Sequence, residues 1–234
     1  MLRVRNLSKQ YAPGIGLLQG DFDAQPGEVL ALIGPNGSGK STLLQILCDV
    51  HRPDQGECLL EGESVHKRKH DIGYLPEIPY LIDGLTGYQF LRFLAGMKEA
   101  ADFKPVEETL ALLQAEASAG QKLGSLSQGH RKRIALAAAL IGDPALLILD
   151  EPTNGFDTMT LLQLKSVLRK RSEEKKITVL SSHVLDFVKS IATKVIFIKN
   201  GHTLPPDPLM GDIEARYLSL FAPSKSRPPA EPVA

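Results

Sequence analysis

The chain has 234 residues, 43% of them hydrophobic, which suits one domain with a sizeable core and excludes a largely disordered polymer. Lysine plus arginine equals aspartate plus glutamate at 27 each, so no global basic field points to nucleic acid. Cys48 and Cys58, without metal-type spacing, give no disulfide framework and are expected to be buried or idle.

The N-terminus, Met1 to Asn6, lacks the apolar core of a signal peptide. The most apolar stretch, Ile134 to Leu149, is broken by Gly142, Asp143 and Pro144, short of the roughly 20 residues a bilayer span needs. A cytosolic chain is expected, reaching any membrane through another protein. Strands are predicted at Leu2 to Arg5, at Leu17 to Ala24 after the Pro13-Gly14 turn, and at Val29 to Ile33 after Pro26-Gly27. A glycine-rich loop leads into a helix over Ser41 to Val50, and short strands follow at Glu57 to Leu60 and Ile72 to Leu75.

The middle of the chain changes period. Phe90, Phe93, Leu94 and Met97 lie on one helical face, and Val106, Leu110 and Leu113 repeat the pattern. Both stripes are read as core packing within a helical insertion spanning about 78–140. Leu146 to Leu149 then reads as a strand buried on both faces. Helix, strand, helix and strand follow at Leu161 to Arg171, Ile177 to Ser181, Val184 to Lys189 and Val195 to Ile198. Alternating strands and helices predict an α/β fold with a mostly parallel core sheet covered on both sides. Asp212 to Leu220 is read as a closing helix without an assigned role. The Pro-, Ser- and Ala-rich end, 221–234, is read as a disordered tail.

Gly34-Pro35-Asn36-Gly37-Ser38-Gly39-Lys40-Ser41, followed by Thr42, fits G-x-x-x-x-G-K-[ST] at every fixed position, between a strand and a helix. Glycines let backbone N–H groups turn toward phosphate oxygens, Lys40 adds charge for the β/γ-phosphates, and the Ser41 hydroxyl can ligate Mg²⁺. This marks a P-loop nucleotide-binding protein, as kinases, GTPases and motors also are. The apolar run Leu146 to Leu149 ends in Asp150 and Glu151. Asp150 is placed to hold Mg²⁺ through its water shell, and Glu151 to polarise a water for attack on a γ-phosphate.

Leu126-Ser127-Gln128-Gly129-His130 resembles the signature motif of the ABC ATPases, which in most members reads Leu-Ser-Gly-Gly-Gln. Asn154-Gly155-Phe156-Asp157 resembles that family's D-loop. His183 occupies the place of its switch histidine, and Tyr11 that of an aromatic ring that stacks on adenine. The resemblance runs from residue 11 to 183. It implies a P-loop NTPase fold over 1–220 with an N-terminal antiparallel β subdomain and an inserted α-helical subdomain. It also implies ATP and Mg²⁺ as ligands, with Glu151 as catalytic carboxylate and His183 orienting γ-phosphate and water. Two copies, or one copy and a similar ATPase, would sandwich ATP, with Ser127, Gln128, Gly129 and Asp157 acting across the interface.

Two departures stand out against the pattern. Glu77 replaces a common glutamine that touches Mg²⁺, and a carboxylate can meet the metal with full charge. Gln128 and His130 replace the signature's usual Gly and Gln, and a protonated His130 near phosphate would add a charge. The resemblance further implies a chain peripheral to the inner face of the cell membrane, energising transmembrane permease subunits. Glu77, Ile141 to Pro144 and Glu151 to Gly155 are similar to bacterial exporter subunits. An importer subunit and a soluble non-transport ABC ATPase are the alternatives, and no nucleic-acid partner is expected.

Overall fold

The computed structural model describes residues 1–98, 106–208 and 212–222, so the expected tail lies outside them from residue 223 onward. Strands β1 (Leu2–Ala12) and β2 (Ile15–Ala24) form an antiparallel hairpin around Pro13-Gly14, and β4 (Gln55–Leu60) pairs with β1 on its other edge. β5 (Glu63–Ser64) extends this antiparallel unit. The parallel unit has the order β9 (Lys194–Lys199), β3 (Val29–Ile33), β8 (Ile177–Ser181), β7 (Leu146–Leu149), β6 (Ile72–Leu75). β10 (His202–Thr203) joins the two units by pairing with β2 and β9, and β11 (Asp207–Pro208) lies along β9.

Strand alternation divides the core in two. Leu30 and Leu32 of β3, with Leu146 and Ile148 of β7, face α1 (Lys40–Leu47), which lies between the parallel strands and the antiparallel unit. Val29, Ala31 and Ile33, with Leu147 and Leu149, face the opposite way. There they meet α5 (Gln128–Leu140), α6 (Thr158–Glu173) and α7 (Leu185–Ile191). Burial on both faces is why these strands read as unbroken apolar runs.

The helical insertion contains α2 (Gly87–Met97), α3 (Val106–Leu112), the single turn α4 (Glu116–Ala119) and α5. Thr86 starts α2 through a capping box: its Oγ1 accepts from the Gln89 N–H at 3.2 Å while the Gln89 Oε1 accepts from the Thr86 N–H at 2.9 Å. Val106, Leu110 and Leu113 are buried as expected. The α2 stripe is corrected, because Phe93 and Met97 are 53% and 58% exposed while Leu91, off the stripe, is fully buried. The buried face of α2 runs through Gly87, Phe90 and Leu91, Leu94 packs partly buried against the core, and of the stripe Phe93 and Met97 face outward. The closing helix α8 (Ile213–Phe221) buries Ile213 against the core and stacks Phe221 near Phe197.

Gly73 of β6 sets how closely α5 approaches the sheet. A Cβ at this position would lie 1.9 Å from the Ala139 carbonyl oxygen, a backbone atom that cannot swing aside. Gly73→Ala is expected to destabilise the fold by about 3 kcal/mol, the upper end of overpacking costs. At this chain length the corresponding drop in Tm is about 6–12 °C by calorimetry.

Candidate functional site

The loop after β3 carries the predicted phosphate cradle at the carboxyl end of the parallel strands. Gly39 precedes α1 with φ of 105°, a left-handed conformation that an L side chain rarely adopts. The Lys40 ammonium donates to the carbonyls of Gly34 at 2.8 Å and Pro35 at 3.1 Å, which ties it across the loop. Burial lowers the Lys40 pKa, while Glu151, Asp150 and Glu77 pull it back up. The buried Ser38 hydroxyl has no protein partner.

Asp150 and Glu151 follow β7 and are both buried. The Ser181 hydroxyl joins them: it donates to Asp150 Oδ1 at 2.6 Å and accepts the Glu151 N–H at 2.9 Å. Glu151 holds a φ of 46°, unusual for a residue with a side chain. Its carbonyl is gripped by the Lys132 ammonium at 2.9 Å, which also donates to the Asn154 carbonyl at 2.7 Å and sits 5.6 Å above the Phe156 ring. Burial lowers the Lys132 pKa, with Glu77, Glu151 and Asp150 opposing. Glu151 Oε2 lies 2.8 Å from His183 Nδ1, and the Asn154 amide donates to Glu77 Oε1 at 3.3 Å.

Lys40, Glu77, Glu151, Asn154 and His183 line an open cavity of about 750 Å³. Tyr11, half exposed and edge-on to His51, stands at one end beside Ile15 and Gly16. Gly34, Pro35, Asn36, Gly37, Gly39, Lys40, Ser41 and Thr42 form the floor. Glu77, Glu151, Asn154 and His183 border the other end. Asp150 sits behind this wall. Ser127, Gln128, Gly129 and Asp157 line none of it. Ser127, Gln128 and Asp157 are instead exposed at the heads of α5 and α6.

Ser127 is the N-cap of α5, with its Oγ 3.4 Å from the His130 N–H and 2.9 Å from His130 Nδ1. Asp157 caps α6 by accepting from the Thr160 N–H at 2.7 Å and from the Thr160 hydroxyl. Those two bonds chiefly hold its carboxyl below the usual range, with Arg133 and His130 adding to the shift. Both thiols are free, and burial pushes Cys48 and Cys58 well above the ordinary thiol range, as idle cysteines would be.

Three residues near the site escape motif reading. Lys132, in the basic run Arg131 to Arg133 at the head of α5, is 4% exposed. It shares a helical face with buried Ala135, Leu136 and Ala139, so the 3.6-residue period contained the signal. Ser181 is the last residue of an apolar strand, and no motif singles it out. Tyr217 of α8 lines the cavity, brought there by a helix far from every motif.

The sequence profile of the ABC transporter family matches residues 17–154. The chain is 36% identical over 211 residues to the SkfA peptide export ATP-binding protein SkfE of Bacillus subtilis (strain 168), covering 86% of each. It is 34% identical to the sulfate/thiosulfate import ATP-binding protein CysA of Synechocystis sp. (strain ATCC 27184 / PCC 6803 / Kazusa), covering 85% of this chain and 58% of that one. Among solved structures it is similar to the dimeric post-hydrolysis ATP-binding cassette MJ0796 bound to ADP and Pi. The TM-score is 0.77 at 25% identity, covering 91% of this chain and all of that one.

Proposed function

Because the chain belongs to the ABC transporter family and is an ATP-binding ATPase subunit of that type, we propose that two copies close face to face around two ATP molecules and drive an exporter. The observation that carries this reading is the division of the site. One set of groups lines the cavity, while Ser127 is exposed elsewhere on the same chain, free to meet the cavity of a second copy. MJ0796 is described as a dimer with ADP and Pi, which supports both association and hydrolysis for a chain of this fold.

In the proposed assembly Tyr11 stacks on adenine and the loop from Gly34 to Thr42 wraps the phosphates. A phosphate oxygen would give the buried Ser38 hydroxyl its missing partner. Ser41, Glu77 and Asp150 offer only oxygen donors, which suits a hard cation such as Mg²⁺. Among the described residues no three His, Cys, Asp or Glu side chains gather as a metal cluster. When bound, the cation would neutralise charge on the phosphates. Glu151 takes a proton from the attacking water, and His183 holds both the Glu151 carboxylate and the γ-phosphate end of the cavity. Ser127 and Gly129 of the second copy donate to the γ-phosphate from the opposite side, next to Gln128 and Asp157.

A membrane partner is proposed to dock beside β6 and α2. Ile78, Tyr80, Phe93 and Met97 expose apolar surface there, and Tyr80 and Met97 border a groove of about 660 Å³. Among the described residues no helix is long and apolar enough to cross a membrane. Export is favoured over import by the likeness to SkfE at both chain lengths, whereas CysA is a longer protein. Tyr80→Asp with Met97→Asp is expected to remove most of the protein from the membrane fraction of the native cell while leaving ATP binding within twofold. Membrane pelleting with nucleotide titration checks this. Unchanged membrane recovery would move the docking surface elsewhere.

A further inference from the structure

The signature segment carries a histidine where the resembling family usually has glutamine, and that histidine is bonded to the serine the sandwich needs. Ser127 Oγ and His130 Nδ1 are 2.9 Å apart, and both side chains are exposed. One proton lies between them, and its owner decides what Ser127 can do. If Nδ1 is bare, the Ser127 hydroxyl donates to it and offers only lone pairs outward, which repel a phosphate oxygen. If Nδ1 carries a proton, it donates to Oγ and the hydroxyl hydrogen is free to point at an anion. The neutral ring has that proton in only one of its two tautomers, whereas the imidazolium always has it.

We propose that His130 is a positioning residue that sets the donor state of Ser127 and makes closure of the ATP sandwich proton-linked. This rests on the two-copy reading above. On closure the γ-phosphate held by the partner approaches Ser127, and one proton moves from solvent to the imidazole of His130. Nδ1 then donates to Oγ, and the hydroxyl donates to the phosphate. No bond of ATP changes in this step.

The charged surroundings suit the step. Asp157, at the head of α6, faces His130 with a negative charge partly offset by Arg133 at 3.0 Å. Arg131, on the same helix as His130, is held by Asp83 from the loop before α2 at 2.6 Å. Lys132 is turned inward to the carbonyls of Glu151 and Asn154. The sign follows: the closed pair binds more protons than the separated chains, so closure strengthens as pH falls through the range in which histidine gains its charge.

The test uses the full chain with Glu151→Gln, and measures the dissociation constant of the ATP-held pair by analytical ultracentrifugation between pH 6.5 and 8.5. Protonation of ATP itself is removed by comparing with the same chain carrying His130→Gln, an exposed substitution that restores the usual amide. The parent is expected to tighten roughly tenfold more than the His130→Gln form as pH falls across the range. Nitrogen-15 imidazole shifts, assigned by that same substitution, should show a protonated Nδ1 in the closed pair. Equal pH slopes, or a bare Nδ1 in the closed pair, would overturn the role of His130 and leave the sandwich standing. If the chain forms no pair with ATP at any pH, the two-copy reading fails and this inference with it.

Discussion

Glu151→Gln lowers steady-state ATP hydrolysis by about 10²- to 10⁴-fold, the usual contribution of a positioned general base, and leaves ATP affinity within a few-fold of the parent. The amide keeps the shape of the side chain, so the Lys132 and Ser181 bonds to the Glu151 backbone are undisturbed. The variant loses the basic oxygen that lies 2.8 Å from His183 Nδ1 and at the cavity wall. Phosphate release and nucleotide titration measured side by side separate chemistry from binding. Hydrolysis within about tenfold of the parent would place the base elsewhere, because even the low end of such catalysis exceeds that.

Lys132→Met strikes the same carboxylate from behind. The methionine stem fills similar space but donates nothing, so the carbonyls of Glu151 and Asn154 lose their shared ammonium, and the Glu151 carbonyl keeps the Asn154 N–H at 3.2 Å. Hydrogen bonds to a charged group contribute roughly 1.5–3 kcal/mol, so losing this shared ammonium is expected to cost about 3 kcal/mol in stability. Glu151 then loses its charged tether and keeps only the Ser181 hydroxyl and the Asn154 N–H to hold its left-handed backbone conformation, which of itself costs on the order of 1–3 kcal/mol. The Glu151 carboxylate and the Asn154 amide that meets Glu77 should both drift from the cavity. The expected result is a kcat reduced about tenfold or more, since small misplacements of reacting groups cost up to 10²-fold. KM for ATP stays close to the parent because the loop from Gly34 to Thr42 is untouched. A destabilised chain with full kcat would show that Lys132 serves the fold alone.

The fold and the site were legible to different depths, for physical reasons. Parallel strands buried on both faces announce themselves as apolar runs, and β3, β6, β7 and β8 begin and end within a residue of expectation. The cradle from Gly34 to Ser41 was legible because phosphate binding dictates residue type at fixed spacing. β1 extends to Ala12 through polar residues, past Arg5, because hairpin pairing with β2 rather than hydrophobicity holds it. The outward turn of Phe93 and Met97 was hidden, since a helical stripe cannot say which side of a helix the sheet occupies. Lys132, Ser181 and Tyr217 were missed for a related reason. Each acts through long-range geometry, and Tyr217 arrives on a helix that the motif spacing never touches.

The His130–Ser127 bond lies between these cases. Sequence marked the substitution as a departure from the signature, and the structure adds the 2.9 Å contact that gives it a chemical consequence. The same region explains why Asp157 has two roles open to it. It caps α6 through Thr160, worth about 1 kcal/mol as caps usually are. It also lies exposed and within electrostatic reach of His130, on the surface the proposed second copy would cover.

The two-copy mechanism is tested most directly by the solution mass of the Glu151→Gln chain with and without saturating ATP, measured by sedimentation equilibrium. The expected result is the mass of one chain without nucleotide and of two chains with ATP, the shift abolished by Ser127→Glu, which sets a carboxylate against the phosphate. A single-chain mass in saturating ATP, or a two-chain mass indifferent to both ATP and Ser127→Glu, would contradict it.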